Sequence, residues 1–268
     1  MDDPVRPKTP DRCAPPPAAT SHGPLLLGLL FGAIVSQDLV WPVVLRMTGA
    51  QWPATPAIVA MGIGFAQVGL AAILLVLGSR RLITRGIAAV ILHFGAAFLA
   101  FRAVNASGFV RWLVIMLMII GIISAPLIIA RLAGLVITST DAPPGRGSRQ
   151  YTIWGLLVLT TIVAVLLGVG HLFFPWKELG QIALFSTAMA LIPCVLGPLA
   201  LSKIPWPVSL IAGAALCPAA GALLTLTGFP PPQQPIQLAT MCSIQGAVTI
   251  AACAVVRIAG YRLVLSGW

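Results

Sequence analysis

Charge is what this chain has least of. Charged side chains make up 8% of its 268 residues, and six of them are acidic. A soluble domain needs about 25% to clothe a surface that faces water. So sparse a supply excludes an ordinary water-soluble globule. Histidine is also scarce, with three residues, and the five cysteines (Cys13, Cys194, Cys217, Cys242, Cys253) form no CxxC pair. Neither a disulfide framework nor a metal centre is expected from them, because cysteine inside apolar runs acts as a small hydrophobe. No HExxH, GxSxG or phosphate-binding Gly-rich loop ending in Lys-Ser/Thr occurs, which argues against the common hydrolytic and nucleotide chemistries.

What the chain has is oil. Hydrophobic residues reach 59% and the mean hydropathy is +1.00. The apolar runs are long and do not alternate; Leu113 to Ala130 holds a single polar side chain, Ser124. In hydrocarbon every backbone N–H and C=O must be satisfied within the segment, which a helix achieves alone. A spanning helix needs about 20 such residues, a barrel strand about 9–11 of alternating pattern. The expected fold is therefore all-α, a polytopic transmembrane helix bundle of about eight spans.

Residues 1–23 hold six prolines and few large apolar side chains, and are expected to form a flexible cytoplasmic tail retained in the mature chain. The spans are placed at Pro24–Leu45, Thr55–Gly78, Leu82–Ala103, Gly108–Ala130, Thr152–Phe174, Leu179–Leu201, Trp206–Leu226 and Ile236–Ala259. This makes 24–138 a first four-helix half, 139–151 a cytoplasmic connector and 152–268 a second half. The third span is the weakest, since Arg85 lies one turn inside it and must snorkel outward.

The formal charge of +10 does not form a block of basic residues, so no nucleic-acid partner is expected. Its placement instead orients the spans. Arg6, Lys8, Arg12, Arg80, Arg81, Arg85, Arg131, Arg146, Arg149, Lys203, Arg257 and Arg262 fall on one side of an eight-span map; Arg46, Arg102, Arg111 and Lys177 fall on the other. Twelve against four, on one consistent side, puts both termini in the cytoplasm by the positive-inside rule. A bacterial plasma membrane is the expected location. Trp41, Trp52, Trp112, Trp154, Trp176 and Trp206 cluster at span ends, where indole prefers the headgroup level.

Two echoes suggest a 4+4 duplication in parallel orientation. Gly28-Leu29-Leu30 is repeated by Gly155-Leu156-Leu157, and Arg131-Leu132-Ala133-Gly134 by Arg257-Ile258-Ala259-Gly260. Because four is even, the halves would share their direction across the membrane.

Ionisable groups in hydrocarbon are costly and mark sites. Asp38 is the one carboxylate inside any of these spans, seven residues or roughly 10 Å from the outer end at Leu45. It is either a proton- or cation-responsive group or the partner of Arg102 or Arg111, which enter from the same side. Gln67 and His93 fall near the midplane among small residues, and with Gln37 and Asp38 they make up the candidate intramembrane polar site. The alternative is that they are interhelical packing groups. Pro193, Pro198 and Pro218 either break helices beside a site or are ordinary membrane prolines. Asn105-Ala106-Ser107 matches the glycosylation pattern in a loop too short to be reached. His93 and His171 differ by about 12 Å in depth, which speaks against bis-histidine haem. No cofactor and no catalytic residue are expected.

Three functions compete. One is a small-solute transporter or permease-like protein, proton-coupled through Asp38. Another is a non-catalytic assembly factor or partner subunit, its Gly/Ala faces meeting a membrane-protein partner or a second copy. A membrane-embedded enzyme acting on lipid comes third.

Overall fold

The computed structural model describes residues 22–78, 82–104, 108–139, 168, 174–226 and 235–265. Seven helices and two short strands are found there: α1 (His22–Thr48), α2 (Thr55–Leu77), α3 (Leu82–Val104), α4 (Phe109–Leu132), β1 (Leu135–Ser139), α5 (Trp176–Leu201), α6 (Trp206–Thr225), α7 (Pro235–Ile258) and β2 (Tyr261–Leu265). All seven helices are long and apolar enough to cross a bilayer. The protein is an all-α membrane-spanning bundle. Residues 1–21 of the expected tail, 140–151 of the expected connector, most of the expected span Thr152–Phe174, with His171, and the Asn105-Ala106-Ser107 loop lie outside the described residues, while His22 and Gly23 belong to α1 and Ser139 to β1.

Boundaries follow local chemistry. Helix α1 runs past Leu45 because nothing in Arg46-Met47-Thr48 breaks it, and it stops where Gly49 takes a positive φ of 61°. Helix α5 starts three residues before Leu179, behind Pro175, with Glu178 in its first turn where the exposed N–H groups favour a negative charge. Proline also sits in the first turns of α2 and α6, where its missing N–H costs nothing.

Helix α2 is the centre: 72% of its most apolar stretch is buried, against none of α1's. It packs on α3, α4 and α7, while α5 packs on α6, α7 and α4. The two meet directly. Phe65 and Phe185 make an edge-to-face contact with ring centroids 5.5 Å apart. A Cβ on Gly69 would collide with the Pro193 ring, and one on Gly197 with the Ile73 side chain. Rising numbers on one helix meet rising numbers on the other, so α2 and α5 run parallel.

The helix ends define two faces. On one, Gly23 lies against the Ala259 carbonyl, Arg85 donates to Gly78 O (2.6 Å) and Leu75 O (2.9 Å), Arg131 donates to Gly78 O (3.2 Å) and Val76 O, and Arg257 donates to Ile204 O (2.9 Å). These guanidinium groups satisfy carbonyls that helix ends and their connectors leave without intrahelical partners. Arg85, 7% exposed, therefore turns inward onto α2 rather than snorkelling as the sequence suggested. On the other face the Trp52 backbone N–H donates to Ala103 O at 2.8 Å, and Arg111 pairs with Glu178 at 3.2 Å. The basic residues that the charge count put together thus lie together wherever they are described. β1 lies on the basic face and Phe174 on the opposite one, where Arg111 stacks 4.8 Å from the Phe174 ring centroid.

The strands were not expected. They pair antiparallel, with Ile137 opposite Leu263 at the middle, and both of those side chains are buried against the bundle. Val136, Ile137 and Thr138 form a β-branched run suited to a strand. The partner strand lies 126 residues away, so no hairpin signal announces the pairing. Each strand follows a helix through a glycine of positive φ, Gly134 (96°) and Gly260 (86°). The bonds around these turns match one for one: Ala133 N to Ile129 O and Gly134 N to Arg131 O in the first, Ala259 N to Val255 O and Gly260 N to Arg257 O in the second. β1 lies beside α2, and β2 beside α5.

Candidate functional site

Helix α1 carries Gln37 and Asp38 on adjacent positions, and α2 brings Gln67 to the same depth. Gln67 Nε2 donates to Asp38 Oδ1 at 2.8 Å and lies 3.4 Å from the Ile34 carbonyl. These two acceptors set the amide's orientation, because only the nitrogen end can donate to them. The other end, Gln67 Oε1, is buried and has no hydrogen-bond partner among the described residues. Gln37 Oε1 accepts from Trp41 Nε1 at 3.0 Å, one turn further along α1.

Helix α3 supplies the floor. Its Gly95 lies so close beneath Asp38 that a Cβ there would overlap the carboxylate. Ala96 of the same helix packs on Gly64 of α2, which lets the two backbones approach. The Gly/Ala pattern of both helices is visible in the sequence; that one of these glycines seats a carboxylate is not.

Beside this cluster is a cleft of about 220 Å³ between α1, α2 and α7, lined by Ala33, Ile34, Gln37, Ile63, Gln67 and Val248. Its walls are apolar apart from the two glutamine amides. Val248, contributed by α7, is a wall that no local sequence signal places there.

The structure thus brings together Gln37, Asp38 and Gln67 but not His93. His93 is 6% exposed, sits edge-on to Phe94 with ring centroids 6.0 Å apart, and has both ring nitrogens unpartnered among the described residues. It does not line the cleft. Of the two readings of Asp38, the ion pair with Arg102 or Arg111 is not formed; Asp38 takes an amide instead. The reason is depth and competition. Arg102 closes α3 and Arg111 opens α4, both at the far face, where Glu178 meets Arg111 at its own level. Among the described residues Asp38 makes no ion pair.

Pro193 is a packing proline, its ring against Gly69, and Pro198 and Pro218 lie inside continuous helices. Among the described residues no three His, Cys, Asp or Glu side chains gather as a metal ion would need. No family model matches the chain, and neither does any curated protein or solved structure.

Proposed function

We propose that this membrane protein moves a small solute through the α1–α2–α7 cleft, with Asp38 as the group that exchanges a proton or a cation. One observation carries the reading: a carboxylate in the membrane, bonded to an amide rather than to an arginine, beside a cleft that the same amide lines. Such a group is costly to keep in hydrocarbon and is retained where it is used. A buried structural charge would be expected to have a cationic partner.

The proposal includes eight spans in two parallel halves, with the basic face cytoplasmic. The matched caps, the strand pairing and the α2–α5 contact support a duplicated four-helix unit, as does the change of face between β1 and Phe174. The polar cluster occupies one half alone, since the position 126 residues beyond Gln67 is Pro193. The site is therefore asymmetric within a symmetric frame.

A rival reading, a non-catalytic partner subunit binding another membrane protein or a second copy, is favoured by the size of the cleft. Its volume of about 220 Å³ falls below the roughly 300–1,000 Å³ of typical ligand pockets. Reconstitution separates the two. Proteoliposomes holding the full chain are offered a panel of small labelled solutes, neutral and charged. The transporter reading expects flux of at least one, lost in Asp38→Asn while the protein stays folded. No flux across the panel, or flux indifferent to Asp38→Asn, rejects it in this form.

A further inference from the structure

We infer that the turn between α5 and α6 binds the phosphate of an anionic membrane lipid, held by Lys203 and Arg257. The site lies on the basic face, apart from the cleft, and stands whether or not a solute crosses there.

Two turns at the same interval in the chain treat their carbonyls differently. Past the end of α2, Gly78 O accepts from both Arg85 and Arg131, and Arg85 is 7% exposed. That turn is closed by its own arginines. Past the end of α5, 126 residues on, Ile204 O accepts from Arg257 at 2.9 Å. The residue 126 beyond Arg85 is Ile211, which is apolar and 70% exposed. Among the described residues Arg257 alone reaches the Ile204 carbonyl. Lys203, the neighbour of Ile204, is exposed, and its ammonium has no hydrogen-bond or ion-pair partner among the described residues. Two cations therefore flank one open turn.

Nothing described on this face balances them. The carboxylates among the described residues are Asp38, bonded to Gln67 inside the bundle, and Glu178, paired with Arg111 on the opposite face. Arg262, exposed on β2, adds to the positive field. So do the first N–H groups of α6, which opens at Trp206. A phosphate answers such a field with charge-assisted hydrogen bonds, which are stronger than neutral ones.

The surroundings favour a lipid over a free phosphate. Trp206 is 66% exposed, and an indole at a helix start settles at headgroup depth. From the turn, Ile204, Val208 and Ile211 follow one another at intervals of four and three residues, all exposed, along one side of α6. An acyl chain can lie along that strip while its phosphate reaches the cations above. A water-soluble anion gains nothing from it.

The test uses the full chain in neutral detergent, titrated calorimetrically with short-chain phosphatidylglycerol, phosphatidylcholine of the same chains, and inorganic phosphate. Phosphatidylglycerol is expected to bind saturably and at least about tenfold more tightly than either, given what two surface cations contribute. Lys203→Gln should weaken it about fivefold, the factor for one such cation. Lys203 makes no bond within the described fold, so this variant is expected to stay folded. Arg46→Gln, which removes an exposed cation from the opposite face, should leave binding unchanged. Phosphatidylcholine binding as tightly as phosphatidylglycerol, or no binding of either, overturns the inference. Inorganic phosphate binding as tightly makes this a free-anion site and overturns the lipid. An equal effect of the two substitutions, or none from Lys203→Gln, removes the turn as the site.

Discussion

Ile137 and Leu263 face each other at the centre of the β1–β2 ladder, and they are 126 residues apart. The same interval separates Arg131 from Arg257, Gly134 from Gly260, and the acceptors Gly78 and Ile204 to which those arginines donate. An antiparallel pair centred on residues at that interval is what a local two-fold through the ladder would produce under the proposed duplication. Facing residues in such a pair have Cα atoms about 4.5–5.5 Å apart, within disulfide range. In a background lacking the native cysteines, Ile137→Cys with Leu263→Cys should cross-link on mild oxidation, read as a mobility shift on gels. Leu135→Cys with Leu263→Cys, two positions out of register, should not. Equal cross-linking of both pairs would refute the register.

The turns that launch the strands should be equally sensitive. Gly134 and Gly260 hold positive φ, where an L side chain is strained by about 1–2 kcal/mol. Gly134→Ala and Gly260→Ala are expected to lower stability by similar amounts near that figure, measured by thermal unfolding in detergent. A loss at one site alone would contradict equivalence.

Removing a guanidinium from the basic face uncovers carbonyls. Arg131→Ala frees Val76 O at the end of α2, while Gly78 O keeps its bond from Arg85, and Arg257→Ala frees Ile204 O just past α5. Hydrogen bonds to charged groups are worth about 1.5–3 kcal/mol. Both variants should destabilise, Arg131→Ala the more, because its site is less exposed. By contrast Glu178→Gln should cost under about 1 kcal/mol, as both partners of that pair are substantially exposed. The order of unfolding temperatures among the three variants checks this.

Gly95 tests the seat of Asp38. Gly95→Ala puts a methyl group where the carboxylate lies, forcing Asp38 off Gln67 or α3 away from α1. Overpacking of this kind costs about 1–3 kcal/mol. The variant should unfold at lower temperature and lose solute flux, whereas Gly86→Ala, on the same helix with open space around its Cα, should do neither. Unchanged flux in Gly95→Ala would remove Asp38 from the site.

Much of the fold is legible before any coordinates, because lipid imposes a simple code. Run length selects helices, and basic residues at span ends select the face. The ends of α2, α4, α6 and α7 fall within a few residues of where apolar runs stop. The ladder escapes this reading, since its strands attract each other across 126 residues and neither has a turn beside it. The site is legible in part for the same reason. Cost in hydrocarbon singles out Asp38, and depth brings Gln67 level with it. Depth alone cannot say which way a helix is turned. So His93, near the same level, points elsewhere, and Arg111, apparently well placed for Asp38, is taken by Glu178.

The proposed orientation, and the depth of Asp38 within the bilayer, depend on both ends of the chain lying on one side of it. The direct measurement is labelling of single cysteines by an impermeant maleimide in intact cells, again without the native cysteines. Thr9→Cys, Lys203→Cys and Ser266→Cys should stay unlabelled until the membrane is opened, while Met47→Cys, Gly108→Cys and Lys177→Cys react from outside. Labelling of Thr9→Cys and Ser266→Cys from opposite sides would contradict the two-halves architecture and the placement of Asp38 built on it.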